Sequence, residues 1–175
     1  MLTRRSALLG LGAATLAATP GLASASTLEP RALRFRNLHT GETLDAEYWQ
    51  NGGYAPDALD AINHVLRDHR TNEARAMDVR LLDLLHDLSR QLETHEPFQV
   101  ISGYRSPQSN AALADASNGV ARRSLHMEGM AIDIALDSAS PAVIRDAALA
   151  LGRGGVGYYP SPGFVHVDVG RVRRW

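Results

Sequence analysis

Two segments of this sequence carry histidines and carboxylates at spacings that could hold a metal ion. They are Ser124-Leu-His126-Met-Glu128-Gly129-Met-Ala131-Ile-Asp133 and Phe164-Val-His166-Val-Asp168-Val-Gly170. In a strand, side chains alternate between faces, so Phe164, His166 and Asp168 share one face and Val165, Val167 and Val169 the other. The valine face reads as core. The opposite face presents a His and an Asp side by side on a rigid strand, a pattern that a solvated surface would also explain. In the first segment His126 and Asp133 are seven apart. On one helix they would stand about 10 Å apart along the axis, and on one strand they would face opposite ways. A loop followed by a strand lets them meet: Gly129 bends the chain, and a strand over 130–136 puts Ala131, Asp133 and Ala135 on one face. A buried Asp133 needs a cation to answer it, either a metal or an arginine. Two imidazoles and a carboxylate with a fourth position open to water would make a catalytic zinc site, which polarises a carbonyl and lowers the pKa of its bound water. That chemistry suits peptide hydrolysis.

The elements around these segments follow from period and punctuation. Pro56 to Arg70 reads as a helix with Leu59, Ile62, Val65 and Leu66 on one face, and Val79 to His95 as a second with a broad leucine stripe. Phe98 to Ile101 is a short buried strand. Ser106 and Pro107 open a third helix, residues 115–125 form a polar surface loop, and Ser140-Pro141 opens a fourth helix running to Leu151. Val156–Tyr159 and Phe164–Val169 are strands joined by the hairpin loop Pro160-Ser161-Pro162-Gly163. Residues 26–36 read as an irregular lead-in and 37–54 as turns and short strands. Helices first and antiparallel strands later predict an α+β single domain, its helices packed on a small, mainly antiparallel sheet that carries the metal site.

Composition narrows the function. The chain has 175 residues, enough for one compact domain. It has no cysteine, which excludes disulfides, zinc–thiolate sites and a Cys nucleophile. A formal charge of −1 offers no electrostatic case for nucleic-acid binding. All 18 basic residues are arginine, which reads as a coding bias. Arg4-Arg5, a mild apolar run to about residue 19 and Ala23-Ser24-Ala25 resemble a twin-arginine export signal with a cleavage site after Ala25. The apolar run is broken by glycines and is shorter than the ~20 residues that a membrane span needs. The expected organisation is a leader over 1–25 and a domain over 26–175 that acts outside the cytoplasm as a monomer.

The pattern S-x-H-x-x-G-x-A-x-D followed by F-V-H-x-D resembles the zinc peptidases grouped with lysostaphin, the D-Ala-D-Ala metallopeptidases and the hedgehog signalling domain. The resemblance to the murein endopeptidase K family extends over Asn37-Leu-His-Thr-Gly-Glu42, Ile101-Ser-Gly-Tyr-Arg-Ser106, Ser124 to Asp133, Gly154-Gly-Val-Gly-Tyr-Tyr-Pro160, Phe164 to Gly170 and Trp175. It implies one Zn2+ per chain on His126, Asp133 and His166, and cleavage of peptide cross-links between peptidoglycan stem peptides in the periplasm or envelope. A carboxypeptidase or dipeptidase on the same stems, or a non-catalytic wall-binding module, are the alternatives. The resemblance to the D-Ala-D-Ala metallopeptidases gives Arg105 a substrate contact, against an ordinary structural ion pair. Ser124 binds substrate or caps the loop before His126.

The general base is the weak point of the pattern. Relatives carry an acid three residues before the last His, where Gly163 stands here, or a His two before it, where Phe164 stands. Asp168, on the His166 face and roughly 7 Å along the strand, is the favoured residue for that role, with orienting a ligand as its alternative. Glu128 competes for it, although a surface role suits it better. His39, His64, His69, His86 and His95 read as surface or structural residues.

Overall fold

The computed structural model describes residues 29–116 and 121–175. The expected leader lies outside the described residues. The chain runs as β1 (Arg31–Asn37), β2 (Thr43–Gln50), β3 (Gly53–Tyr54), α1 (Pro56–Val65), α2 (Val79–Gln91), β4 (Phe98–Ser102), α3 (Pro107–Ala116), a 3-10 turn (Leu125–Glu128), β5 (Ala131–Ala135), α4 (Pro141–Leu151), β6 (Gly155–Tyr159), β7 (Phe164–Asp168) and β8 (Arg173–Arg174).

The α+β class holds, with two corrections. Residues 31–37 are a strand, not an irregular lead-in: Leu33, Phe35 and Asn37 are buried while Ala32, Arg34 and Arg36 face water. The alternation is real, but exposed arginines on so short a run conceal it. Strands therefore precede the helices as well as follow them. The sheet is also not small. Its eight strands run in the order β3-β2-β1-β4-β5-β7-β6-β8, mainly antiparallel, with β1–β4 and β6–β8 parallel.

Two helices stop short of their expected ends. After Val65 the chain turns out through Leu66, and the Asp68 carboxylate takes over, accepting from Arg70 N at 2.9 Å and Ser106 N at 2.8 Å. Helix α2 starts where expected, with the Asp78 side chain accepting from Arg80 N, and ends at Gln91. Ser106 and Ser140 cap α3 and α4, their hydroxyls accepting from Ser109 N and Val143 N.

The core lies between the sheet and α2 with α4, and it includes Leu81, Leu82, Leu85 and Leu88 of α2 and Ile144 and Ala148 of α4. Ile132, Ile134, Val165 and Val167 supply the sheet side, each no more than 1% exposed. Each such side chain stabilises the fold by about 1.5–3 kcal/mol. A one-residue slip of β5 or β7 would turn all of them out of the core, so burial sets the register. The same register obliges Asp133, His166 and Asp168 to take the opposite face. Among the described residues, no helix is long and apolar enough to cross a membrane.

Candidate metal centre

Strands β5 and β7 pair antiparallel with Asp133 directly opposite His166. Alternation puts both side chains on the face away from α2 and α4. His126 reaches them from the 3-10 turn. Ser124 caps that turn, and Gly129 closes it with φ +68. A Cβ on Gly129 would stand 2.5 Å from the Ala76 carbonyl oxygen, so the bend that brings His126 back over β5 has no room for a side chain.

The three side chains meet. His166 Nδ1 lies 2.8 Å from Asp133 Oδ1, His126 Nε2 lies 3.1 Å from His166 Nδ1, and His126 Nε2 lies 3.3 Å from Asp133 Oδ1. Their exposures are 2% for His126, 7% for Asp133 and 8% for His166. Among the described residues this is the one group of three or more His, Asp or Glu with the spacing to hold a metal ion.

The outer ring nitrogens decide what the inner ones offer. His126 Nδ1 lies 2.7 Å from the Gly103 carbonyl oxygen, and His166 Nε2 lies 3.0 Å from Asp168 Oδ2. Both partners only accept, so both of those nitrogens carry hydrogen. In the neutral imidazoles, His126 Nε2 and His166 Nδ1 then turn lone pairs toward each other and toward a carboxylate oxygen. Three acceptors this close repel unless a cation lies among them. Ligands at about 2.0–2.1 Å in a tetrahedron stand about 3.3 Å apart, close to the spacing here. The donor set fits a divalent metal.

Asp168 is sealed beneath His166 at 0% exposure. Besides His166 it accepts from Arg173 Nη2 at 2.7 Å, Arg173 Nη1 at 3.0 Å, Gly155 N at 3.1 Å and Gly170 N at 2.8 Å. Burial works against its charge, but His166, Arg173 and the two backbone N–H groups hold its carboxyl well below the usual range. Burial likewise opposes the charge on Asp133, and the two imidazoles outweigh it and keep that carboxyl low. Burial favours neutral His166, yet Asp133 and Asp168 raise its pKa. A Cβ on Gly155 would lie 2.4 Å from Asp168 Oδ2 and 2.3 Å from Arg173 Nη1, so this glycine leaves room for the ion pair.

A profile of the family described as Peptidoglycan L,D-endopeptidase MepK matches residues 25–175. The chain belongs to that family. The Peptidoglycan L,D-endopeptidase MepK of Escherichia coli strain K12 is 44% identical over 175 residues, covering 98% of this chain and 96% of its own. The probable peptidoglycan L,D-endopeptidase MepK of Haemophilus influenzae is 40% identical over 155 residues, covering 88% and 83%.

In this member of the family the cluster opens onto a cleft of about 460 Å³, lined by Arg105, Ser124, Tyr159, Phe164 and Trp175 among others. Arg105 is 8% exposed. Its Nη2 lies 3.7 Å from Asp133 Oδ2, so an arginine and two imidazoles together surround that carboxylate. Nη1 and Nη2 reach Asn110 Oδ1 at 3.4 Å and Ser102 Oγ at 3.2 Å, while Nε is buried and finds no partner among the described residues. Burial lowers the pKa of the guanidinium, and Asp133 opposes that shift. The loop bearing Arg105 is tied down by its own N–H on the His126 carbonyl at 3.2 Å and by Asp68 at Ser106. Ser124 lines the cleft while its hydroxyl accepts from His126 N at 3.4 Å, so it caps the turn. Glu128 is exposed and pairs with Arg75 at 3.0 Å, away from the cluster. His39 and His69 stack on each other at 3.8 Å, and His64 faces Glu42.

Sequence reasoning missed Arg173, Tyr159 and the ring of Trp175 as parts of this site. The run Gly154-Gly155-Val156-Gly157 was the available signal: small residues on a strand mark a close approach by another group. Here the approaching groups are Asp168 with Arg173 at Gly155 and the Trp175 indole at Gly157, where a Cβ would lie 2.7 Å from the ring.

Proposed function

We propose that this protein is a zinc-dependent murein endopeptidase that hydrolyses L,D peptide bonds cross-linking peptidoglycan stem peptides, acting in the periplasm or cell envelope after export on the twin-arginine signal over 1–25. The observation that carries the reading is the convergence of three lone-pair donors, 2.8–3.3 Å apart, at the floor of an open cleft. His126 Nε2, Asp133 Oδ1 and His166 Nδ1 are the ligand atoms. A nitrogen and oxygen donor set without sulfur suits zinc. Bound there, zinc would supply a Lewis acid and a water of lowered pKa.

The chain's other residues bind and orient. Asp168 holds His166 in the tautomer that points Nδ1 into the cluster; its oxygens are already engaged by four groups, so positioning suits it and proton transfer does not. Arg105 lines the cleft and brings a guanidinium to it that suits a carboxylate, and stem peptides carry several. Arg105→Gln is expected to raise KM about 10–100-fold, the loss of one charge-assisted hydrogen bond of about 1.5–3 kcal/mol, with zinc content unchanged. Steady-state kinetics on a soluble cross-linked muropeptide measures it.

Digestion of isolated peptidoglycan by the mature protein, with and without chelator, tests the function. Muropeptide mass should show cross-linked dimers becoming monomers, and only without chelator. Monomers losing a terminal residue would make the protein a carboxypeptidase. Wall binding with no bond broken would make it a non-catalytic module.

A further inference from the structure

Several groups that line the cleft could meet the charge that hydrolysis creates, among them Arg105, Arg123, Ser124 and Tyr159. When water adds to a peptide carbonyl, its oxygen gathers negative charge and needs hydrogen-bond donors aimed at it. Among the described lining residues the one carboxylate is Asp133, inside the cluster itself. Arg173 also lines the cleft, but its fork is spent on Asp168.

Tyr159 is placed by the sheet itself. In the β6–β7 ladder Gly157 lies opposite His166, and Tyr159 is two residues further along β6, on the same face and roughly 7 Å away along the strand. Its ring stacks on Phe164 at 4.6 Å, which fixes the direction of the phenol. Its oxygen accepts from Trp175 Nε1 at 2.8 Å. The phenolic hydrogen is thus left over, and no acceptor takes it among the described residues.

Trp175 is held for this purpose from several sides. Its backbone N–H donates to the Val156 carbonyl at 3.2 Å, and its carbonyl accepts from Tyr158 N at 3.0 Å. The indole fills the space that Gly157 leaves, lies under the Arg173 guanidinium at 4.8 Å and stands 5.2 Å from the His166 ring. A hydroxyl that accepts one hydrogen bond becomes a stronger donor of its own.

We propose that Tyr159 is a catalytic residue whose O–H donates a hydrogen bond to the scissile carbonyl oxygen as charge builds there, and that Trp175 is the residue that positions it. This rests on the peptidase reading above. No proton leaves the phenol: water's oxygen bonds to the carbonyl carbon, the C–N bond breaks, the proton that water gives up ends on the leaving amine nitrogen, and Tyr159 only stabilises the carbonyl oxygen between those events.

The test uses the zinc-loaded mature protein and a soluble cross-linked muropeptide. Tyr159→Phe keeps the Phe164 stack and removes only the hydroxyl. It should lower kcat about 10–100-fold, with KM within about twofold and zinc content unchanged. A phosphinate analogue of the scissile peptide, which carries a tetrahedral anion, should bind more weakly by the same factor in calorimetry. Trp175→Phe should lower kcat by about 3–10-fold and add nothing in the Tyr159→Phe background, because its effect passes through the phenol. A Tyr159→Phe enzyme with kcat within twofold of the parent, or with undiminished phosphinate affinity, overturns the proposal. A full Trp175→Phe loss in the double variant overturns the positioning role. If the parent protein itself cleaves nothing, the peptidase reading falls instead.

Discussion

Replacing His126 by alanine should yield a folded protein that neither retains zinc nor cleaves peptidoglycan. His126 supplies one of three converging atoms and is 2% exposed, so no neighbouring water or side chain can take its place without rearrangement. Asp133 and His166 alone leave a two-ligand site, which catalytic zinc does not use. Zinc held there would contribute several kcal/mol of charge stabilisation to the reaction, and about 4 kcal/mol is already about a thousandfold in rate. A loss of at least that size is expected, read as muropeptides released, together with a fall from about one zinc per chain to near none by elemental analysis. The core leucines lie on the other side of the sheet, so far-ultraviolet circular dichroism should be unchanged. A variant that keeps its zinc and cleaves within tenfold of the parent would remove His126 from the centre.

Asp168→Asn should weaken the metal rather than only slow the turnover. Asn has the shape of Asp, so no cavity forms, but one of its two acceptor oxygens becomes an NH2 donor. At 0% exposure that amide must face His166 Nε2–H, Arg173 or the N–H groups of Gly155 and Gly170, all of them donors. A ligand histidine that loses its outer partner typically costs 10–100-fold in metal affinity, and that range is expected in a titration against a competing chelator. Stability to urea should fall by about 2–3 kcal/mol, below the about 3–5 for breaking a fully buried pair, since Arg173 is 28% exposed and stays partly hydrated. At saturating zinc, kcat should recover to within about tenfold. Unchanged zinc affinity with a collapsed kcat would instead make Asp168 the group that takes the proton from water.

The two predictions differ in how much of their basis can be read from the chain alone. His126, Asp133 and His166 are legible because each depends on its near neighbours. Alternating valines assign the faces of β7, Gly129 permits the reversal, and residue chemistry restricts what a His–Asp–His set can bind. Helix starts are legible for the same reason, since Ser106 and Ser140 accept from N–H groups within one turn of themselves and Pro56 removes one of the N–H groups that would need a partner. Strand β1 was hidden because its exposed face is mostly arginine, and helix α1 ends early because Asp68 finds Ser106, 38 residues away.

What the sequence determined by itself is local: which faces are apolar, where the chain turns, and which side chains can ligate. The tertiary structure alone decided the partners of those side chains. Trp175 reaches Tyr159 and Arg105 comes to Asp133 only once the strands have taken their order. Periodicity reports the environment within a few residues, whereas pairing across 16 or 28 residues is set by burial of the whole sheet against its helices, and no short window contains that information.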